Sequence, residues 1–164
     1  MPDLLSNDAI AALQAAPLVP APAGARTFTR SRVLRSTFET AAETLMTWRV
    51  HERAGLRVAA SAARAGAGEV VLLTLGRGPV SVTAPCRILE VIDEPDRIGF
   101  RYGTLAGHPE AGEEEFAIER RGAEVVFTVH AVSAPATRLA RLGGPVATLV
   151  QDAITARYLR AADA

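Results

Sequence analysis

At 164 residues, with 49% apolar content and 18 basic residues against 18 acidic ones, the chain fits one domain with a substantial core and is too apolar to be a disordered segment. The two signs of charge are interspersed, so no basic face is offered to nucleic acid or to an anionic membrane. One cysteine, Cys86, excludes an internal disulfide and a multi-thiolate zinc site, and no apolar run approaches the ~20 residues of a membrane span.

Residues 1–24 read as an amino-terminal arm. Ser6 caps a helical turn carrying Ile10, Leu13 and Gln14, and Pro17, Pro20 and Pro22 then extend the chain into a loosely packed connector. Residues 25–164 read as a single domain that opens with a strand over 26–34. Ser36-Thr37-Phe38-Glu39 has the form of a capping box, with Ser36 as the cap, for one helix running to His51 or Arg53 before Gly55 stops it. Phe38, Ala41, Ala42, Leu45 and Trp48 make its buried stripe. Trp48 is a core anchor or a wall for a ligand, and its place in a helical stripe favours the anchor. His51, close to the helix end, is expected at the surface.

From Leu56 the apolar period changes from 3.6 to 2. Strands are expected at 58–60, 70–75, 80–92, 98–105, 113–120 and 124–132, divided by Gly66-Ala67-Gly68, Gly76-Arg77-Gly78-Pro79, Asp93-Glu94-Pro95-Asp96, Gly107-His108-Pro109-Glu110 and Arg121-Gly122. Links this short imply an antiparallel meander. A last helix, starting near Gly144-Pro145, places Val146, Leu149, Val150, Ile154, Arg157 and Tyr158 on one face, with Leu139 and Leu142 in a preceding turn. The meander has an apolar face to cover, and this helix is the long amphipathic element left to cover it. The fold class is therefore α+β: a curved antiparallel sheet of about seven strands wrapped around a long carboxy-terminal helix. That helix-grip order resembles the START-like or SRPBCC superfamily, related to the birch-pollen-allergen fold, whose sheet often leaves a cavity beneath the helix. The superfamily usually carries two small helices after the first strand, where one is read here.

The block from Gly99 to Phe116, GFRYGTLAGHPEAGEEEF, resembles the signature of the domain-of-unknown-function 1990 family. Further segments agree in order: Phe38, Ala41, Leu45 and Trp48 at their spacing, His51, Ala84-Pro85-Cys86-Arg87, Asp93-Glu94-Pro95, Ala131-Val132-Ser133 with Pro135, Gly144-Pro145, Gln151 and Tyr158-Leu159. The chain departs from the family pattern at Val19-Pro20, where an aromatic is common, and at 34–37, which lacks a glycine pair. The resemblance implies the fold and its boundaries; the family's label implies no activity.

In that block, Phe100, Tyr102 and Thr104 share one side of a strand, and Glu114, Phe116 and Ile118 share one side of the strand that returns. The expected result is an aromatic cavity wall with Glu114 beside Tyr102. A catalytic reading gives His108 with Glu110, Glu113 or Glu114 an acid/base role, because a carboxylate beside imidazole fixes its tautomer and raises its pKa. The simpler reading is a hairpin whose His and Glu side chains cap backbone N–H groups, with the glycines supplying positive φ. Three consecutive glutamates are not explained by turn chemistry, although a solvated charged rim is common. His130, in register with Thr128 and Val132, is a further candidate for the cavity. Cys86 reads as a small buried hydrophobe. A metal would draw on His108, Glu110 and Glu114, with His51 or His130, but His-x-Glu is not a recognised ligand spacing, so neither metal nor cofactor is expected. Gly76-x-Gly78 leads into a strand, not a helix, and so is no phosphate cradle.

The leading expectation is a domain that binds a small apolar or amphipathic molecule, with Trp48, Phe100, Tyr102, Thr104, Glu114, Phe116 and His130 as its ligand-binding residues. The alternatives are an enzyme of cyclase, isomerase or hydrolase type using His108, Glu110, Glu113 and Glu114, and a protein-interaction module with a filled core. A continuous cavity above ~300 Å³ reaching Tyr102 separates the first two from the third. The expected location is cytoplasmic, since lone-cysteine usage fits a reducing compartment and the amino terminus lacks a cationic stretch followed by an apolar core.

Overall fold

A computed structural model of the chain describes residues 1–137 and 141–163; Leu139 lies outside them. In chain order the elements are β1 (Asp3–Leu4), α1 (Asn7–Ala15), β2 (Arg26–Leu34), α2 (Phe38–Met46), α3 (Arg49–Arg53), β3 (Arg57–Ala60), β4 (Val70–Leu75), β5 (Val82–Glu94), β6 (Arg97–Thr104), β7 (Glu110–Arg121), β8 (Glu124–Pro135) and α4 (Gly144–Ala161). The strands form one curved, unclosed sheet in the order β1-β3-β4-β5-β6-β7-β8-β2. The meander from β3 to β8 is antiparallel throughout, and β2 closes against β8. The eighth strand, β1, pairs parallel with β3. Two residues are too few to show a period, which is why it was not expected from the sequence.

Strand alternation puts the large side chains on the concave face. Phe100 and Tyr102 of β6, Phe116 and Ile118 of β7, and Phe127 and Val129 of β8 are all buried there. On β5 a bulge between Ile88 and Glu90 shifts the register, so that Cys86, Ile88 and then Val91 stand opposite Thr104, Tyr102 and Phe100. Leu89 is the extra residue. It packs at Gly103, where an added Cβ would lie 3.1 Å from Leu89 and 2.9 Å from Leu18.

The single helix expected after β2 is two. α2 stops at Met46, and Trp48 takes a left-handed conformation at φ 67° before α3 begins. A bulky residue adopts that conformation only when its surroundings hold it. Trp48 is fully buried, its indole N–H donates to the Ala62 carbonyl at 3.2 Å, and its ring meets those of Phe100 and His51. The turn at Trp48 also redirects His51 from the expected surface into the core, where it is 0% exposed. The cap of α2 is Thr37 rather than Ser36: the Thr37 hydroxyl accepts from Thr40 N at 3.3 Å. The Ser36 amide is engaged elsewhere, by Asp163 together with that of Arg35, and Glu39 pairs with Arg120.

α4 seats on the sheet through its carboxy-terminal half. Thr155, Tyr158 and Ala161 are its buried residues, whereas Val146 and Leu149 of the expected apolar face are 62% and 68% exposed. The amino-terminal half is tied by polar contacts instead: Arg26 reaches Gln151 Oε1 (3.1 Å) and Asp152 Oδ1 (2.8 Å), and Gln151 donates to the Ser133 hydroxyl at 2.9 Å. Among the described residues no helix is long and apolar enough to cross a membrane.

The arm, expected to pack loosely, is held along its length. Leu5 N donates to Ala60 O, Val19 N to Thr104 O and Ala106 N to Pro17 O. The Arg87 guanidinium closes the carboxy-terminal end of α1, with Nη2 within 2.9 Å of the carbonyls of Leu13, Gln14 and Ala16. A cation on these carbonyls satisfies acceptors that the helix end leaves open. Arg87→Ala is expected to cost about 1–3 kcal/mol in urea denaturation, with amide exchange rising first in residues 7–16; an unchanged midpoint and unchanged exchange would show that the arm needs no such clamp.

Candidate functional site

Between the concave face and α4, along the stretch from Ala147 to Tyr158, lies a cavity of about 280 Å³. It reaches Tyr102, and its volume falls just under the ~300 Å³ at which small-molecule pockets begin. Leu56, Leu73 and Leu75 from the β3–β4 side and Val150 and Ile154 from α4 make apolar walls. The polar groups gather at one side: Tyr102, Glu114, Tyr158, His108, Glu110 and Ser133. A wider hollow of about 610 Å³ near the amino terminus is bordered by Glu39, Glu43, Arg49 and Arg53 and lacks such walls.

The centre of the polar group is a cross-strand pair. β6 and β7 are in register at Tyr102 and Glu114, and the Tyr102 hydroxyl donates to Glu114 Oε2 at 2.8 Å. Tyr158 comes from α4 to the same place, its ring 5.3 Å from that of Phe116 and its hydroxyl interacting with that of Tyr102. Removal from bulk water raises the Glu114 carboxyl to about 7; the Tyr102 hydrogen bond opposes the rise, and the nearby Glu110 adds to it. Burial likewise raises the Tyr102 and Tyr158 hydroxyls and the Cys86 thiol. The result is a neutral hydrogen-bonded cluster with one group that titrates near pH 7.

The three consecutive glutamates divide by strand alternation. Glu114 faces in, while the carboxylates of Glu113 and Glu115 join arginines: Glu113 pairs with Arg101, which also holds Glu90, and Glu115 pairs with Arg97. Glu113 borders the cavity, but its charge is engaged by Arg101. His108 lies at the rim, and its Nδ1 accepts from the Glu110 amide at 2.8 Å, so Nε2 carries the proton of the neutral ring. Burial lowers its pKa to about 4, against the rise that a catalytic pairing with a carboxylate would produce. Glu110 is raised by burial, with Ser133 and Arg26 opposing.

Of the other sequence-derived candidates, all but Thr104 lie away from the cavity surface. Trp48, Phe100 and Phe116 are 0% exposed and form the aromatic layer under it. His130 is on the other face of β8, bonded through Nδ1 to the Thr29 hydroxyl at 2.8 Å; in β8 the residues facing the cavity are Ala131 and Ser133. Thr104 lines the cavity, but its hydroxyl donates to Val19 O and accepts from Gly112 N, both at 3.0 Å, which makes it a clasp between arm, β6 and β7. His51, enclosed by Trp48, Phe100, Phe116 and Tyr158, has no hydrogen-bond partner on either ring nitrogen, and burial holds it neutral with a pKa of about 3. Ser133, Gln151 and Tyr158 belong to the cavity and were not placed there from sequence. Ser133 has the parity of Val129 and Ala131, and Gln151 and Tyr158 lie on the helix stripe of Ile154, so alternation and helical spacing carried the signal.

A curved sheet gripping a carboxy-terminal helix around a cavity is the helix-grip architecture, and solved structures of that class resemble it. A hypothetical protein from Helicobacter pylori superposes with a TM-score of 0.65 at 7% identity, covering 90% of this chain and 95% of that one. Ara h 8.0201 gives 0.56 at 12% identity, covering 84% and 98%. The Zhui aromatase/cyclase from Streptomyces sp. R1128 gives 0.55 at 15%, covering 84% and 90%. At these identities the likeness is one of fold. The family model for the domain of unknown function DUF1990 matches residues 10–161, and the chain belongs to that family. A UPF0548 protein of Deinococcus radiodurans is 41% identical over 75 residues, which are 45% of this chain and 38% of that protein, so the matched segment spans well under half of that relative.

Glu114 sets a pH signature. With a folded pKa near 7 against the ordinary value of 4.5, the native state holds its proton more firmly than the unfolded chain, so this stabilisation is complete below pH 4.5 and is lost as pH rises through 7. Glu114→Gln, which imitates the protonated group, is expected to equal the wild type at pH 4 and to exceed it by about 1–3 kcal/mol at pH 8. Urea denaturation at the two pH values checks this; a difference that does not change with pH would place the titration elsewhere.

Proposed function

We propose that this domain binds a small apolar or amphipathic molecule in the cavity between its sheet and α4, with the Tyr102–Glu114 pair orienting the ligand's polar end. The observation that carries the reading is the cavity itself: apolar walls of Leu56, Leu73, Leu75, Val150 and Ile154 around one hydrogen-bonded polar cluster. Binding sites for small molecules have this composition, a mostly apolar lining with a few placed polar groups. Phe100 and Phe116 support it as the packed layer behind Tyr102, and Thr104 supports it by fixing the register of β6 and β7. A filled core, which the interaction-module reading requires, has less support, since a hollow of about 280 Å³ reaches Tyr102, although it falls just short of the ~300 Å³ of small-molecule pockets.

A second reading has one observation in its favour. Glu114 titrates near neutrality in a water-poor site beside a tyrosine, the condition of a general acid or base. On that reading Glu114 exchanges a proton with the bound molecule and Tyr102 steadies its carboxylate. His108 and Glu113 are less suited, the first neutral with Nδ1 already occupied and the second paired with Arg101.

Ala147→Trp tests the cavity, because Ala147 lines it from α4 and a larger side chain fills it from the helix side. The wild type is expected to take up the neutral fluorophore N-phenylnaphthylamine with an emission blue shift, and the variant to lose at least ten-fold in affinity (about 1.4 kcal/mol) while melting within a few degrees of the wild type. Equal uptake by both proteins would place the binding elsewhere. Native mass spectrometry of protein isolated from its own host would identify the chemical class of a retained ligand.

A further inference from the structure

The cavity has a charge character that its apolar walls conceal. Its described lining residues include Glu110, Glu113 and Glu114 and not one arginine. The chain has no lysine, so arginine is its only permanently charged cation besides the amino terminus. Several of the described arginines are held elsewhere. Arg97 and Arg101 hold glutamates on the outer face, Arg120 holds Glu39 and Asp96, and Arg87 holds the end of α1. Arg26 comes nearest, but its guanidinium is engaged by Asp152 and Gln151.

Building on the binding role proposed above, we infer that the cavity selects amphiphilic amines: molecules with an apolar body seated against α4 and a cationic nitrogen at Glu114, in preference to neutral alcohols and against carboxylates or phosphates. Glu114 accepts one hydrogen bond from Tyr102, and a carboxylate has acceptor capacity well beyond one. An ammonium group supplies both the missing donors and the countercharge, and a charge-assisted bond is roughly twice as strong as a neutral one. A carboxylate ligand meets Glu110 and Glu114, with no arginine among the described lining residues to offset them, and so is disfavoured unless it carries a proton.

The groups that face Glu114 make its response to pH readable. They are Tyr102 from β6, Tyr158 from α4, Cys86 from β5 and Glu110 from β7, with His108 at the rim. The two tyrosines and the cysteine are shifted upward and keep their protons between pH 6 and 8, and His108 with a pKa of about 4 stays neutral. Glu110 is raised less, with Ser133 and Arg26 opposing. A primary alkylamine stays charged throughout, as lysine does at pKa ~10.4. The deprotonated fraction of Glu114 therefore changes about ten-fold over that range.

The test uses three probes with one skeleton, phenethylamine, phenethyl alcohol and phenylacetate, titrated calorimetrically into the full chain. At pH 8 the amine is expected to bind about ten-fold more tightly than the alcohol, with phenylacetate weakest. Lowering the pH to 6 should weaken the amine by up to ten-fold and leave the alcohol unchanged, a comparison that needs no variant. In Glu114→Gln the ratio of amine to alcohol affinity should fall to about one. Equal binding of amine and alcohol by the wild type, or phenylacetate binding as tightly as the amine, overturns the inference and leaves the cavity as a binding site. Failure of all three probes to bind overturns both the inference and the binding role beneath it.

Discussion

The register between β6 and β7 is the constraint on which the rest depends. It places Tyr102 opposite Glu114, and that single pairing sets a buried carboxyl group at the centre of the cavity's polar side. Glycines hold the strands where they are. A Cβ at Gly99 would stand 2.0 Å from the Phe116 carbonyl oxygen, and one at Gly112, whose φ is +153°, would stand 1.9 Å from that of Val132. The Gly112 amide then donates to Thr104, whose hydroxyl donates on to Val19 of the arm. A slip of β7 by one residue would turn Glu114 to the outer face with the arginines, bring Glu113 or Glu115 into the cavity, and take Phe116 out of the aromatic layer.

The cavity exists because α4 seats by only half its length. Tyr158 and Ala161 pack into the core below, where Trp48, His51, Phe100 and Phe116 fill the concave face ring against ring. Above them the helix presents Ala147, Val150 and Gln151 to a sheet that answers with small residues, Ala84, Ala131 and Ser133. Small side chains on both sides leave space that closer packing would have removed. The Arg26–Gln151–Ser133 contacts keep the helix in place over this space without filling it.

Much of the architecture was legible because strand alternation and turn chemistry are local. The meander, its turns and the terminal helix follow from period-2 runs between Gly and Pro punctuation. What could not be read was decided by tertiary contacts. The helix break at Trp48 has no glycine or proline to announce it, since the indole's place in the core holds the strained backbone. The β5 bulge changes which residues face inward, and the cap moved by one residue because Asp163, far along the chain, takes the Ser36 amide. At the site, alternation joins Tyr102 to Glu114, but His130 stands on the outer face of β8, and Phe100 and Phe116 lie in the layer beneath the wall, together with Trp48, whose helical stripe favours the core anchor it is.

The proposed binding role and its catalytic alternative rest on the same group, and its protonation separates them. A carboxyl group kept neutral by an apolar site donates a hydrogen bond, and the same group ionised accepts one or pairs with a cation. With a pKa of about 7, Glu114 is divided between these states at neutral pH, so a bound molecule need supply little free energy to select either. An amine draws out the carboxylate and leaves it locked in an ion pair, which suits retention. A carbonyl draws out the acid and places a proton where an enol would form, which suits chemistry. The apolar walls do not distinguish the two readings; on either, the distinction rests with the polar end that would meet Glu114.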